Sequence, residues 1–241
     1  MLRLLTRQLT RAAVVILAVL SVLGGLPQTA QAAISLDKTS DVVNVVTVYP
    51  TNSETQSEIL SAVSQAEAST FSDVPGFQDS AILKAQDKSQ VIALSQWSGK
   101  DLTSFESYAK EHVLSIPVGQ SAQSFACQVQ HTETKAGSPQ FQQGDFVQFS
   151  QFKMKPGKDQ SELAMVVSQM MPGALTMSTG LQWATMCPST DGSTIALLAQ
   201  WASAEDFAAI AQRPGFDSET GYWQDYANNE HGLYDVAQVI R

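Results

Sequence analysis

An apolar run that closes on Gln-Trp occurs twice in this chain, and it limits the fold more than any other feature. The first copy is Val91-Ile92-Ala93-Leu94-Ser95-Gln96-Trp97 and the second Ile195-Ala196-Leu197-Leu198-Ala199-Gln200-Trp201. A short apolar run of this kind, carrying β-branched residues, has the length and chemistry of a buried strand. Each is followed by Ser-x-x-Asp, from Ser98 to Asp101 and from Ser203 to Asp206. That spacing starts helices: the Ser oxygen accepts from an orphan amide and the acid sits in the positive first turn. A Pro-Gly pair stands upstream of each copy, Pro75-Gly76 and Pro172-Gly173, and from Gly to Trp is 21 positions in the first and 28 in the second. Taken as equivalent landmarks, these pairs predict seven extra residues in the second copy, placed in a longer hairpin tip at 188–192. An internal duplication follows, with domains of about 100 residues each: residues 34–131 and 143–241, joined by a polar linker at 132–142 that holds Gly137 and Pro139.

Around these strands the periodicity predicts the remaining elements. Residues 34–41 form a polar leader. Residues 42–49 form a strand. A helix starts at Asn52 and Ser53, with Ser53 and Gln56 as a capping box and Ile59, Leu60, Val63 and Ala66 on its apolar face. Strands at 77–85 and 90–97 flank a tip at Asp87-Lys88. A helix at 99–112 turns Leu102, Phe105 and Ala109 inward, and a strand covers 124–131. The second half repeats the order: strand 145–153, helix 159–170 with Leu163, Val166, Val167 and Met170 in line, strand 174–186 with an irregularity at Gly180, strand 194–201, helix 205–211 and strand 233–240. Each half is β-α-β-β-α-β, the ferredoxin-like unit, with both helices on one face of an antiparallel sheet. The strands are apolar on both sides, so in an α+β chain with two such units the sheets can cover one another.

Residues 1–33 have the three-part layout of a secretory signal: Arg3, Arg7 and Arg11, an apolar run at 12–23, and small residues around Ala30, Ala32 and Ala33. Cleavage is expected near Ala32/Ala33, leaving a secreted or periplasmic protein. The run of about a dozen residues is short of the roughly 20 needed for a span. Removing three Arg moves the formal charge from −9 to −12. So acidic a protein repels nucleic acid and anionic membrane, and neither is an expected partner. Cys127 and Cys187 are the only cysteines. In an oxidising compartment they allow one disulfide, or they stay as two buried thiols. His112, His131 and His231 lack metal-ligand spacing, and no metal site is expected. No Gly-x-Ser-x-Gly or phosphate-cradling Gly run is present.

The element order, the turns at Pro156-Gly157, Pro75-Gly76 and Pro172-Gly173, and a strand ending in Trp before a capped helix resemble the antibiotic biosynthesis monooxygenase family, within the dimeric α+β barrel group. The resemblance spans residues 42–240. It implies two fused copies forming one intramolecular barrel, a monomer that is its own pseudo-dimer. In that family a small apolar cavity lies between sheet and helices. Some members oxidise phenols with molecular oxygen and no cofactor, and others bind and degrade haem. The resemblance implies a Trp, an Asn and a His or Tyr around the cavity. Carried over here, Trp97, His112 and Tyr108 are the expected catalytic residues, and Asn44, Tyr49 and Trp201 the expected ligand contacts. The match departs at the Asn, which stands in the first strand as Asn44 with Gln148 in its place in the second half, and at the His, where the second half has Gln212 and Arg213.

The expected function is a cofactor-independent monooxygenase acting on a small aromatic or acidic apolar substrate. The alternatives are a non-catalytic small-ligand or structural stress module, and haem binding or degradation with His112 as axial ligand. The resemblance also sets the last strand of one unit beside the second strand of the other. That brings Cys127 and Cys187 together as an interdomain disulfide.

Overall fold

The computed structural model describes residues 32–38, 41–99, 122–211 and 221–241. Residues 32–241 form one compact unit. Eleven strands and three helices are described: β1 Ala33–Ser35, β2 Val42–Pro50, α1 Gln56–Ser69, β3 Phe77–Ala85, β4 Gln90–Ser98, β5 Gln123–Cys127, β6 His131–Thr134, β7 Gln140–Gln142, β8 Phe146–Met154, α2 Gln160–Met177, β9 Leu181–Pro188, β10 Thr194–Trp201, α3 Ala204–Ala211 and β11 Ala227–Ile240. The strand expectations at 77–85, 90–97 and 194–201 coincide with β3, β4 and β10 within one residue. The helix expected at 99–112 lies outside the described residues.

Nine strands make one antiparallel sheet in the order β5-β2-β4-β3-β11-β8-β10-β9-β6. Both β5-β2-β4-β3 and β11-β8-β10-β9 have the fourth-first-third-second order of a ferredoxin-like sheet. The chain steps from β5, on one edge, through Gln128 and Gln130 to β6, on the other; their amides donate to Pro188 O and Met186 O at 3.3 and 3.0 Å. The sheet therefore curls closed, which leaves few unpaired edge groups. The last strand of the first half lies against β9, and β11 lies against β3.

The two halves match residue for residue, and the match corrects the expected insertion. Phe77 pairs Trp97 and Leu181 pairs Trp201, each followed by a bulge that skips one residue before Gln96 or Gln200. Ser98 N donates to Gly76 O at 2.7 Å, and Ala202 N to Gly180 O at 2.8 Å. Gln56 Nε2 donates to Ala85 O and Gln90 O; Gln160 Nε2 donates to Ser189 O and Thr194 O. Every one of these pairs differs by 104 in number, as 97 and 201 do. The counterpart of Gly76 is thus Gly180, not Gly173. No extra residues separate the landmarks, and the hairpin tip at 188–192 absorbs none. Pro172-Gly173 lies inside α2, on its exposed side, while Leu163, Val167, Met171 and Leu175 carry the buried stripe past it. That stripe outweighs the one ladder bond a proline removes. The expected strand at 174–186 accordingly starts only at Leu181.

Four further expectations are corrected. Ser53 and Gln56 form no capping box: Asn52 Oδ1 accepts from Glu54 N and Thr55 N, freeing the Gln56 amide to clamp the β3–β4 hairpin. The linker at 132–142 contains β6 and β7, and the strand expected at 124–131 is split where the chain changes partners. The leader at 34–41 is not a polar tail, since β1 pairs β7 and delivers Ile34, Leu36 and Phe141 to the barrel interior, each at most 1% exposed. Ser203 behaves as expected: its Oγ accepts from Asp206 N at 3.1 Å.

The paired glutamines give a first test. Gln56→Leu removes two bonds across the β3–β4 hairpin, leaving Ala85 O with the Lys88 amide alone, and should lower stability by about 2 kcal/mol in urea denaturation. Gln160→Leu, which removes the matching side-chain bonds to Thr194 O and Ser189 and leaves the Ser189 amide on Thr194 O, should cost as much.

Candidate functional site

Strand parity sorts the expected site residues onto two faces. On β2, Val46 and Val48 belong to the barrel interior, with Leu94 and Ile92 of β4, whereas Val45 and Tyr49 face the helix side with Trp97. Asn44 shares the interior parity. Its Oδ1 accepts from Gln96 Nε2 at 3.0 Å, its Nδ2 lies 3.8 Å from Cys187 Sγ, and Gln96 Nε2 also reaches Ser35 O at 2.7 Å. Asn44 is thus a fully satisfied interior junction and does not share a compartment with Trp97. Cys127 and Cys187 are bonded in the same interior, Cα atoms 5.4 Å apart, tying β5 to β9. Tyr108 and His112 lie outside the described residues.

The helix side holds two compartments, one per half. In the first, Trp97 is fully buried and stands edge-on to Phe71 and Phe77, ring centroids 6.2 and 5.4 Å apart. Its indole N–H donates to Ser95 Oγ at 2.8 Å. Ser95 pairs Ser80 across the β3–β4 ladder and Val45 across β2–β4, and Val45 pairs Ala126. The floor is therefore a row of small side chains. Above it runs α1, whose buried stripe is Ile59, Val63 and Glu67. An apolar residue belongs at the third position of such a stripe; a carboxyl, 4% exposed, stands there. Glu67 Oε2 and Ser80 Oγ lie close enough for the hydroxyl to act on the carboxyl, without the geometry of a well-formed hydrogen bond. Burial raises the Glu67 pKa from 4.5 to about 7, with the nearby Ser80 hydroxyl pulling weakly downward. Burial, then the Glu67 charge, pushes the Tyr49 phenol above its usual range.

The second compartment repeats the architecture with apolar side chains at the polar positions. Met171 stands at the position of Glu67, Ala184 at that of Ser80, Ala199 at that of Ser95 and Phe152 at that of Tyr49, all within one apolar cluster under α2. Trp201 keeps the place of Trp97 and is edge-on to Phe207 at 5.4 Å. With Ala199 beneath it, its N–H has no partner.

The structure resembles an anthrone oxidase-like protein with a TM-score of 0.71 over 86% of this chain and 95% of that one, at 18% identity. Candidate monooxygenases of Fusobacterium nucleatum and Lactobacillus acidophilus align with TM-scores of 0.56 and 0.52, each over 83% of this chain, at 13% and 11% identity, covering 94% and 96% of those chains. The fold is the ferredoxin-like α+β barrel shared with these neighbours. No family model matches the sequence, and no curated protein does.

The pattern could have exposed Glu67 earlier. Ile59, Val63 and Glu67 are spaced by four, so a carboxyl continues an apolar stripe. Ser80 and Ser95 give no such signal, because Ser is ordinary on a strand. Among the described residues, no three His, Cys, Asp or Glu gather in a way that could hold a metal, and no helix is long and apolar enough to cross a membrane.

Trp97→Ala should be costly. It removes an indole held by two aromatic rings and leaves Ser95 Oγ unpaired, so a loss of about 4 kcal/mol is expected in denaturant titration.

Proposed function

We propose that this chain is an exported, duplicated barrel in which the first helix–sheet compartment oxidises a small, weakly acidic aromatic molecule with molecular oxygen and no cofactor. What carries the reading is the contrast between two compartments of one design. Three matched positions are Glu67, Ser80 and Ser95 in the first and Met171, Ala184 and Ala199 in the second. Burying a carboxyl and two hydroxyls costs free energy that the apolar version avoids. Groups that oppose folding in this way gather at functional sites. The name of the anthrone oxidase-like neighbour suggests the substrate type we adopt, an anthrone or a related weakly acidic ring compound.

In this reading Trp97, Phe71 and Phe77 form the aromatic wall, and Ser95 fixes the indole. Tyr49 borders the compartment from the next cluster. The second compartment supports the barrel. The net reaction for a ring methylene is the gain of one oxygen atom as carbonyl, the other leaving as water. Export rests on the leader at 1–33, and N-terminal sequencing of the secreted protein should begin at Ala33 or Ile34.

The test is oxygen consumption by the metal-stripped mature protein with anthrone. Uptake in stoichiometric amounts, unaffected by added flavin or haem, is expected. Absence of uptake with retained binding of anthraquinones would instead favour a non-catalytic ligand module on the same fold.

A further inference from the structure

We infer that Glu67, with Ser80 beside it, is the proton-accepting site for the substrate held under α1. This rests on the functional reading above and assigns its acid–base chemistry to residues of the first compartment. Glu67 and Ser80 are both buried and lie beside one another, the Ser80 hydroxyl acting on the carboxyl, between α1 and the sheet in the compartment walled by Trp97 and Phe71. A buried carboxyl with one hydroxyl beside it has acceptor capacity to spare, which a ligand's O–H or acidic C–H can use. The second half repeats the backbone there with Met171 and Ala184, so the fold itself does not require either group. Among the described residues no cation pairs with Glu67, which suits its carboxylate to taking a proton from a neutral acid rather than binding a positive ligand. A donor such as a phenol O–H or an activated ring C–H complements Oε2, and Ser80 Oγ can donate to the oxygen of the resulting anion.

The chemistry balances. The Glu67 carboxylate takes one proton from a benzylic methylene conjugated to a ring carbonyl. The carbanion's electron pair adds to molecular oxygen, forming a C–O bond and leaving the charge on the outer oxygen. The neutral Glu67 carboxyl returns its proton there, giving a hydroperoxide. Loss of water, made of the remaining C–H proton and the outer hydroxyl as the O–O bond breaks, leaves a carbonyl. The carbon is oxidised by four electrons and the oxygen molecule reduced by four. Glu67 ends ionised, as it began.

The experiment compares wild type, Glu67→Gln, Glu67→Asp and Glu67→Met. Oxygen uptake with anthrone is measured beside binding of 1,8-dihydroxyanthraquinone, followed by Trp fluorescence. Gln should lower uptake by about 100-fold or more, the usual effect of losing a general base, while binding changes by no more than a few-fold. Asp should restore part of the uptake and move the midpoint of its pH profile. Met, which the matched position in α2 accommodates, guards against a folding artefact of Gln. If Gln and Met leave uptake and its pH profile unchanged, the base lies elsewhere, and His112→Ala becomes the decisive variant; the functional reading would then stand without this assignment. If wild type neither binds the anthraquinone nor consumes oxygen with anthrone, the functional reading itself fails.

Discussion

Glu67→Gln should make the protein more stable at pH 8 than the wild type while leaving the two nearly equal at pH 4. The sign follows from the raised pKa. The unfolded carboxyl titrates near 4.5 and the folded one near 7. The folded state therefore holds its proton more tightly, and this stability is fully present below about pH 4.5. It is lost as the pH rises through about 7, because ionising the group under α1 opposes folding. Two and a half units correspond to about 3 kcal/mol across that window. The Gln variant has no proton to lose and should show a flat profile where the wild type falls. Urea midpoints measured at pH 4, 6 and 8 would read this directly. Parallel profiles for both proteins would mean that Glu67 is not the group destabilised by burial. A gain in stability paired with a loss of oxidation is the expected trade-off at a functional carboxyl.

Breaking the Cys127–Cys187 bond should cost about 4 kcal/mol, the value for cross-linking residues 60 apart in the chain-entropy treatment. The two seams of the barrel explain why the effect should be large. By ladder register, Tyr234 occupies on β11 the place that Cys127 has on β5; its hydroxyl donates to Gln90 Oε1 at 2.6 Å, and its ring packs edge-on to Phe149 at 6.1 Å. That seam is noncovalent but well filled. At the other seam the sulfurs stand in for the aromatic ring, and both are at most 1% exposed. The Cys127→Ala, Cys187→Ala double variant loses the link and leaves a void between β5 and β9. Denaturation of this variant, compared with wild type with and without reductant, should show the loss. An unchanged midpoint would show that the seam closes without the bond.

Much of the fold could be read from the residues, because short apolar runs bounded by turn residues mark β3, β4 and β10. The error over Pro172-Gly173 has a physical cause. Pro and Gly are strong breakers locally, but a buried stripe of Leu163, Val167, Met171 and Leu175 carries more free energy than one missing ladder bond. The barrel seam at 128–134 was illegible for another reason: whether a polar segment pairs with a distant strand depends on what lies opposite it, here β9. At the site, Trp97 and Tyr49 are easy to single out as large aromatics on strands. Their separation from Asn44 needs strand parity fixed by the ladder, since a one-residue change of register reverses the face. Glu67 was visible as a break in an apolar stripe. Its meaning emerged only from the matched Met171.

The most direct measurement is a fluorescence titration with 1,8-dihydroxyanthraquinone of three proteins: wild type, Trp97→Phe and Trp201→Phe. If the first compartment is the ligand site, saturable quenching should survive in Trp201→Phe and be largely lost in Trp97→Phe. Quenching that persists in Trp97→Phe and disappears in Trp201→Phe would place the ligand under α2 and contradict the central assignment.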